Sequence, residues 1–163
     1  MKNNFLRINN IGFTLIELIV VLSILITLLG FVTINLSSSQ QKTSLSTTIQ
    51  TIISDMKAQQ IKAMIGDTEG RVSASAYGVH FDTDKYVLFH GAYSAFEASN
   101  FVVNLTDTIK FDAGSRPEIV FEKVNGEIYQ FSIGPDKIIL KDTTNGNIRT
   151  IRINQYGVIE EIN

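Results

Sequence analysis

Few residues in this chain of 163 residues could perform chemistry. His80 and His90 are its two histidines, and each lies in or beside an apolar strand pattern, which favours a structural role over a metal ligand or general base. Asp82-Thr83-Asp84 could offer oxygen atoms to calcium, but it lacks the further acidic ligands and the glycine of a calcium loop and is typical of a turn. We therefore expect no enzyme, no cofactor and no metal site.

The composition further restricts the classes of function that this chain could have. The formal net charge is -2 and the isoelectric point about 5.6, which gives no general reason to expect nucleic-acid binding. The chain has no cysteine, so disulfides and thiolate metal sites are excluded. Its length allows one modest globular core besides an anchor.

Residues 13–34 form an apolar run that contains one charge, Glu17. As a helix this run would be about 33 Å long, enough for a hydrocarbon core of about 30 Å. Lys2 and Arg7 precede it and the next charge is Lys42, so the positive-inside rule places the N-terminus in the cytoplasm. We expect a single membrane-spanning helix and an exported C-terminal domain.

A secretory signal peptide is the first alternative to this anchor. Its apolar region usually has about 7 to 15 residues and ends in a small-residue cleavage site. Here the run is longer and reaches the polar Asn35 without such a site. Glu17 also needs an explanation, because a carboxylate within a membrane helix costs on the order of 2 to 3 kcal/mol unless it is paired or lies near an interface.

The segment Gly12-Phe13-Thr14-Leu15-Ile16-Glu17-Leu18 resembles the processing site of type IV prepilins and of the related pseudopilins of type II secretion. The resemblance implies that residues 1–12 are a leader that prepilin peptidase removes between Gly12 and Phe13. It further implies that the new N-terminus at Phe13 is methylated and that Glu17 guides assembly. The alternative for Glu17 is that its side chain snorkels to the lipid headgroups.

Electrostatics agrees with the role that the resemblance gives to Glu17. Cleavage would create an ammonium near this carboxylate, and two unit charges about 4 Å apart attract by about 4 kcal/mol at an effective dielectric constant near 20. If the ammonium belongs to a neighbouring subunit, the pair would also fix the axial register between helices.

Residues 35–66 are predicted to continue the helix with one apolar face. This face consists of Leu45, Ile49, Ile52, Ile53, Met56, Ala63 and Met64. Gly66 supplies a stop signal. The face could form a coiled-coil seam with a partner, but it is short, and packing on the chain's own sheet is favoured.

Residues 70–163 are predicted to form a β-rich domain, which makes the fold class α+β with an antiparallel sheet or sandwich. The predicted strands are 77–82, 86–90, 101–105, 108–112, 118–123, 127–133, 137–141, 148–154 and 158–162. Asn125-Gly126 predicts a tight type I′ hairpin, and residues 144–147 predict a slightly longer one.

A second, looser resemblance extends over this domain. Tyr77-Gly78-Val79-His80-Phe81, Tyr86-Val87-Leu88-Phe89, and Ile151-Arg152-Ile153 followed by Tyr156-Gly157-Val158 are similar to segments of the H-type minor pseudopilins and the FimT kind of minor pilins. This resemblance implies a β-sandwich-like domain on a long helix and a position near the filament tip.

Lys137, Lys141, Arg149 and Arg152 cluster on the predicted penultimate hairpin. DNA-uptake pilins similar to this chain have a Gly-Arg-x-Arg pattern near the C-terminus, whereas Arg149 and Arg152 are three residues apart and should point to opposite faces of a strand. Solvated hairpin charges are therefore favoured over DNA binding.

The sequence as a whole predicts a structural minor subunit of a type IV filament-like machine in the bacterial inner membrane. Type II secretion is favoured, and a minor pilin for adhesion, motility or DNA uptake is the alternative. The expected partners are other pilin or pseudopilin subunits, prepilin peptidase, the inner-membrane assembly platform and membrane lipid.

Overall fold

The computed structural model describes residues 12–163, apart from the side chains of residues 30–43. Most of the predicted leader, residues 1–12, thus lies outside the described residues. The chain divides into two compact units, Met1–Lys42 and Thr43–Asn163. Its elements in chain order are α1 (Leu15–Ile65), β1 (Tyr77–Phe81), β2 (Lys85–His90), β3 (Phe101–Asn104), β4 (Ile109–Phe111), β5 (Glu118–Phe121), β6 (Lys137–Asp142), β7 (Ile148–Ile153) and β8 (Ile159–Ile162).

The second unit contains two four-stranded sheets around one core. The first sheet has the order β3-β2-β1-β5 and the second β4-β6-β7-β8, and every pairing is antiparallel. Alternate residues of both sheets point into the same apolar cluster, as expected for half-buried strands. The predicted α+β fold with antiparallel sheets is confirmed.

The C-terminal part of α1 contributes its apolar face to this core. Buried on that face are Leu45, Ile49, Ile52, Ile53, Met56 and Ala63, which all belong to the same cluster as the strand residues. The prediction that this face packs on the chain's own sheets is confirmed. Met64 was wrongly included in the face, because its side chain is 49% exposed.

Gly66 ends the helix as predicted. Its φ of 67° is in the left-handed region, which glycine adopts without a steric penalty. The amide of Gly66 donates to the carbonyl of Ala63, and the amide of Asp67 donates to that of Lys62. This is the Schellman arrangement, and it satisfies carbonyl groups that the end of a helix leaves without partners.

Two polar side chains of the C-terminal part of α1, Asp55 and Gln60, bond to strands and turns within the second unit. The hydroxyl of Tyr86 donates to Oδ2 of Asp55 at 2.5 Å. The side-chain amide of Gln60 donates to the carbonyls of Gly126 and Tyr156 at 2.9 and 2.7 Å. The helix is therefore fixed both to β2 and to two separate turns.

Eight of the nine predicted strands are present, with ends that differ by one or two residues. The strand predicted at 127–133 is wrong: apart from one bridge between Phe121 and Ile128, these residues form turns. Gln130 has a φ of 49°, and its carbonyl accepts a bond from the amide of Ile133. The guanidinium of Arg116 also binds the carbonyls of Gln130 and Phe131, so these groups are unavailable to a strand ladder.

The predicted type I′ turn at Asn125-Gly126 is also wrong. Such a turn needs positive φ at both central residues, but here the positive values are at Val124 (77°) and Gly126 (69°). Glu122 donates its amide to the carbonyl of Glu127, which makes the loop longer. A tertiary contact accounts for this different turn, because the amide of Val124 donates to the carbonyl of Ala63 at the end of α1. The hairpin predicted at 144–147 is present between β6 and β7.

Candidate functional site

The predicted processing site lies directly before α1. Gly12 and Phe13 precede the helix, and the side chain of Phe13 is 89% exposed. Thr14 is the N-cap, because its carbonyl accepts the first helical bond, from the amide of Leu18 at 3.2 Å. The predicted scissile bond, Gly12–Phe13, is therefore outside the helical hydrogen bonds.

Glu17 bonds to Thr14 in both directions. The amide and the hydroxyl of Thr14 each donate to Oε2 of Glu17 at 2.9 Å, and the hydroxyl accepts from the amide of Glu17 at 3.3 Å. This is the capping box of a Thr-x-x-Glu sequence. The signal was present in the sequence, but Thr14 was not predicted as a partner of Glu17.

The capping box uses only one of the two carboxylate oxygens of Glu17. Both contacts from Thr14 reach Oε2, and within the described residues Oε1 of Glu17 has no hydrogen-bond partner. Cleavage before Phe13 would leave Thr14 as the second residue, with its amide and hydroxyl intact. The arrangement can thus hold the carboxylate in place and still present an oxygen atom to a cation.

The helix that follows exposes apolar side chains all around. The exposed residues are Leu15, Ile16, Leu18, Ile19, Val20, Val21, Leu22, Ile24, Leu25, Ile26, Leu28 and Leu29. The hydroxyls of Ser23 and Thr27 donate to the carbonyls of Ile19 and Ser23 at 2.8 and 2.7 Å. These polar groups are therefore satisfied within the helix.

Within the residues that the structure describes, no helix has the length and hydropathy needed to cross a membrane. The predicted span, 13–34, ends within residues 30–43, whose side chains the structure does not describe. It stays a prediction.

Comparison with known families gives one result for this segment. Residues 7–33 match the family described as "Prokaryotic N-terminal methylation motif", the signal of type IV pilin-like prepilins. Gly12, Phe13 and Glu17 all lie in the matched segment. The match indicates a type IV pilin-like substrate of prepilin peptidase. No curated protein and no solved structure is similar enough to the chain to give a significant match.

His80 lies on the outer face of the first sheet. Its Nδ1 is 3.3 Å from Oε2 of Glu118 and its Nε2 is 3.5 Å from Oδ1 of Asp82. The ring stacks on Tyr93 with 3.8 Å between centroids. Among the residues that the structure describes, no group of three or more His, Cys, Asp or Glu side chains could hold a metal ion.

His90 has a different environment at the end of β2. Its ring packs against the edge of Tyr77 at 4.6 Å between centroids, and in the described part of the chain its buried Nε2 has no hydrogen-bond partner. Burial lowers the pKa of His90 below its ordinary value. The imidazole is therefore neutral near pH 7.

The four basic residues of the predicted penultimate hairpin divide between the two faces of the second sheet. Lys137 lies opposite Arg152 and Lys141 opposite Lys110, and residues in such pairs share a face. These side chains point away from the core, whereas Arg149 lies opposite a fully buried leucine of β6. The register thus confirms that Arg149 and Arg152 point to opposite faces, and it adds Lys110 to the outer group.

Proposed function

We propose that this chain is a structural minor subunit, a pseudopilin, of a type IV filament-like machine that serves type II secretion in the bacterial inner membrane. Prepilin peptidase cuts between Gly12 and Phe13 and methylates Phe13. The apolar part of α1 then anchors the chain as a single pass, with the β-domain outside the cytoplasm. The observation that carries the proposal is the matched signal at 7–33, in which the helix begins at Leu15, two residues after Phe13.

The geometry at the start of α1 supports an assembly role for Glu17. Thr14 holds the carboxylate through Oε2, and Oε1 can accept the methylated ammonium of Phe13 from a neighbouring subunit. Such a pair offsets the cost of placing Glu17 among apolar side chains. It also sets the axial stagger between adjacent helices, which a purely apolar interface would leave undefined.

Processing can be tested by mass spectrometry of the chain after expression with and without prepilin peptidase. With the peptidase, the mass should fall by residues 1–12 and rise by one methyl group on Phe13. Gly12→Val should block both changes, because a side chain replaces the hydrogen atom beside the cut. Ser23→Ala is the matched control within α1 and should be processed normally. Full processing of Gly12→Val would contradict the proposed site.

Deletion of the chain in the native cell can test which kind of machine this subunit serves. Deletion of this chain should abolish secretion of exported proteins while leaving adhesion, motility and DNA uptake unchanged. Loss of one of those pilus functions with normal secretion would instead support the alternative, a minor pilin.

DNA capture is the form of that alternative for which the structure offers a surface. The outer face of the second sheet presents Lys110, Lys137 and Lys141 beside Arg152. Acidic groups weaken this patch, since Asp136 lies 3.8 Å from Arg152 and Glu161 lies opposite it on β8. A gel shift with duplex DNA that vanishes as salt rises, and is lost in Lys110→Gln/Lys141→Gln, would favour DNA capture. No shift at low salt would exclude it.

A further inference from the structure

A groove of about 480 Å³ opens on the outer face of the first sheet, along β5. Ile119 and Phe121 of β5 are buried in the core, so Glu118 and Val120 point outward, and Glu122 continues the same alternation. These three residues line the groove as an acidic, an apolar and a second acidic position. The groove therefore has an apolar base between two carboxylates.

Two tyrosines form further parts of its lining, and the fold positions both of them. Tyr93 stacks on His80 at 3.8 Å and lies 5.4 Å from the buried Phe89, measured between ring centroids. Tyr129 donates its amide to the carbonyl of Val120 at 2.8 Å. Packing therefore holds the ring of Tyr93 before any ligand arrives, and a backbone bond fixes the main chain of Tyr129, whose side chain is half exposed.

Arg116 holds the backbone of the two residues that follow Tyr129. Its buried guanidinium donates to the carbonyls of Gln130 and Phe131, each at 3.1 Å, and to that of Glu118 at 3.0 Å. The same side chain therefore links β5 to the loop that begins after Tyr129. We treat Arg116 as a positioning residue, because it is not among the residues that line the groove.

The charge of the groove is negative and only partly compensated. Oε2 of Glu118 faces His80, and Oε2 of Glu122 accepts from the side-chain amide of Asn125 at 3.3 Å. In the part of the chain that the structure describes, neither carboxylate is within ion-pair distance of a lysine or arginine, and no lining residue is basic. A cation placed here would gain one of the two carboxylates and the neighbourhood of a tyrosine ring.

We propose that this groove binds a lysine or arginine side chain on a short extended segment of a partner protein. The volume lies in the range of ligand sites, about 300 to 1,000 Å³, and suits one long side chain with its adjoining backbone. The methylene stem would lie on Val120, and the charged head would reach Glu118 or Glu122 beside a tyrosine ring. The inference does not depend on the proposed filament role.

The test uses the full chain in detergent micelles, labelled with 3-fluorotyrosine. Its five tyrosines give five fluorine signals, and Tyr93→Phe and Tyr129→Phe assign the two from the groove. The probe is acetyl-Gly-Arg-Gly-amide, with the citrulline peptide as its neutral control. The arginine peptide should move the signals of Tyr93 and Tyr129 in a saturable way, and the citrulline peptide should bind at least tenfold more weakly.

The variant Glu118→Gln/Glu122→Gln should also bind the arginine peptide at least tenfold more weakly. Glu160→Gln/Glu161→Gln is the matched control on β8 and should bind normally. Unchanged signals of the buried Tyr77 and Tyr86 would show that each variant is folded.

Three results would overturn the inference. They are equal binding of the arginine and citrulline peptides, no movement of the groove signals in the folded chain, and occupation of the groove by a second copy of this chain. The last would appear as a concentration dependence of those two signals without peptide.

Discussion

Thr14 and Glu17 satisfy each other at the start of α1, through two bonds of 2.9 Å from Thr14 to Oε2 and a return bond of 3.3 Å from the Glu17 amide. The carboxylate therefore has a local structural role that is separate from its charge. A glutamine at this position of a capping box can keep the first role, but it cannot attract an ammonium. The two roles can be separated by mutation.

We predict that Glu17→Gln will be cleaved and inserted normally but will be missing from filaments. The cap persists while the charge that would pair with Phe13 of a neighbour is lost. Filaments sheared from cells and probed for this chain give the measurement. Thr14→Ala is the complementary variant: it costs about 1 kcal/mol at the helix start but keeps the charge, so it should still enter filaments. Normal incorporation of Glu17→Gln would refute the charge pairing.

Arg116→Met should destabilise the second unit by about 3 kcal/mol or more. The guanidinium is 5% exposed and donates to four carbonyls, so its loss leaves several buried acceptors without donors. Urea unfolding followed by circular dichroism measures the change. Arg152→Met is the control: its single ion pair is long and exposed, and we expect a loss within about 0.5 kcal/mol. Equal losses in the two variants would contradict the structural role of Arg116.

Arg116 also explains why the strand predicted at 127–133 is wrong while the other predicted strands are present. Alternating apolar residues and the spacing along α1 are local patterns, and they located eight strands, the buried helix face and the stop at Gly66. The segment 127–133 has the same local alternation. Its conformation depends on a guanidinium that precedes it by more than ten residues, which no local pattern records.

The two candidate sites also differ in how far the sequence alone could reveal them. The signal at Gly12, Phe13 and Glu17 is contiguous, so the sequence alone could reveal it. The groove is assembled from β5, the loop after β2 and the turn at Tyr129, which only the strand order brings together. The stacking of His80 on Tyr93 could not be predicted either, because Tyr93 lies in the loop after β2.

Gly78→Ala should cost about 1 to 3 kcal/mol, because this glycine lies beneath a ring on the outer face of the first sheet. An added Cβ would lie 2.3 Å from Cζ of Phe89 and 2.8 Å from the carbonyl oxygen of Ile119. Urea unfolding gives the cost. Gly114→Ala is the control, since the nearest atom there is a side-chain methyl of Ile139 at 3.3 Å. Phe89→Leu should partly relieve the clash, so a strictly additive double variant would contradict this account.

His90 should make stability depend on pH between about 7.5 and 5.5. Burial lowers its folded-state pKa, with the cations of Arg71 and Lys62 acting in the same direction and the carboxylates of Glu69 and Asp67 opposing. As the pH falls through the unfolded value of about 6.5, the unfolded chain binds a proton that the folded chain resists, so the free energy of unfolding falls.

Urea titrations of the wild type and His90→Gln at several pH values across this window test that dependence. The wild type should lose stability more steeply than the variant as the pH is lowered, whatever packing energy the variant has already lost at pH 7.5. The window stays above about pH 5.5 because the ion pairs of Glu69 with Lys62 and Arg71 lower the pKa of that carboxyl, which then contributes stability that is lost only at more acidic pH. Equal slopes in the two proteins would show that the folded and unfolded states bind the His90 proton equally well.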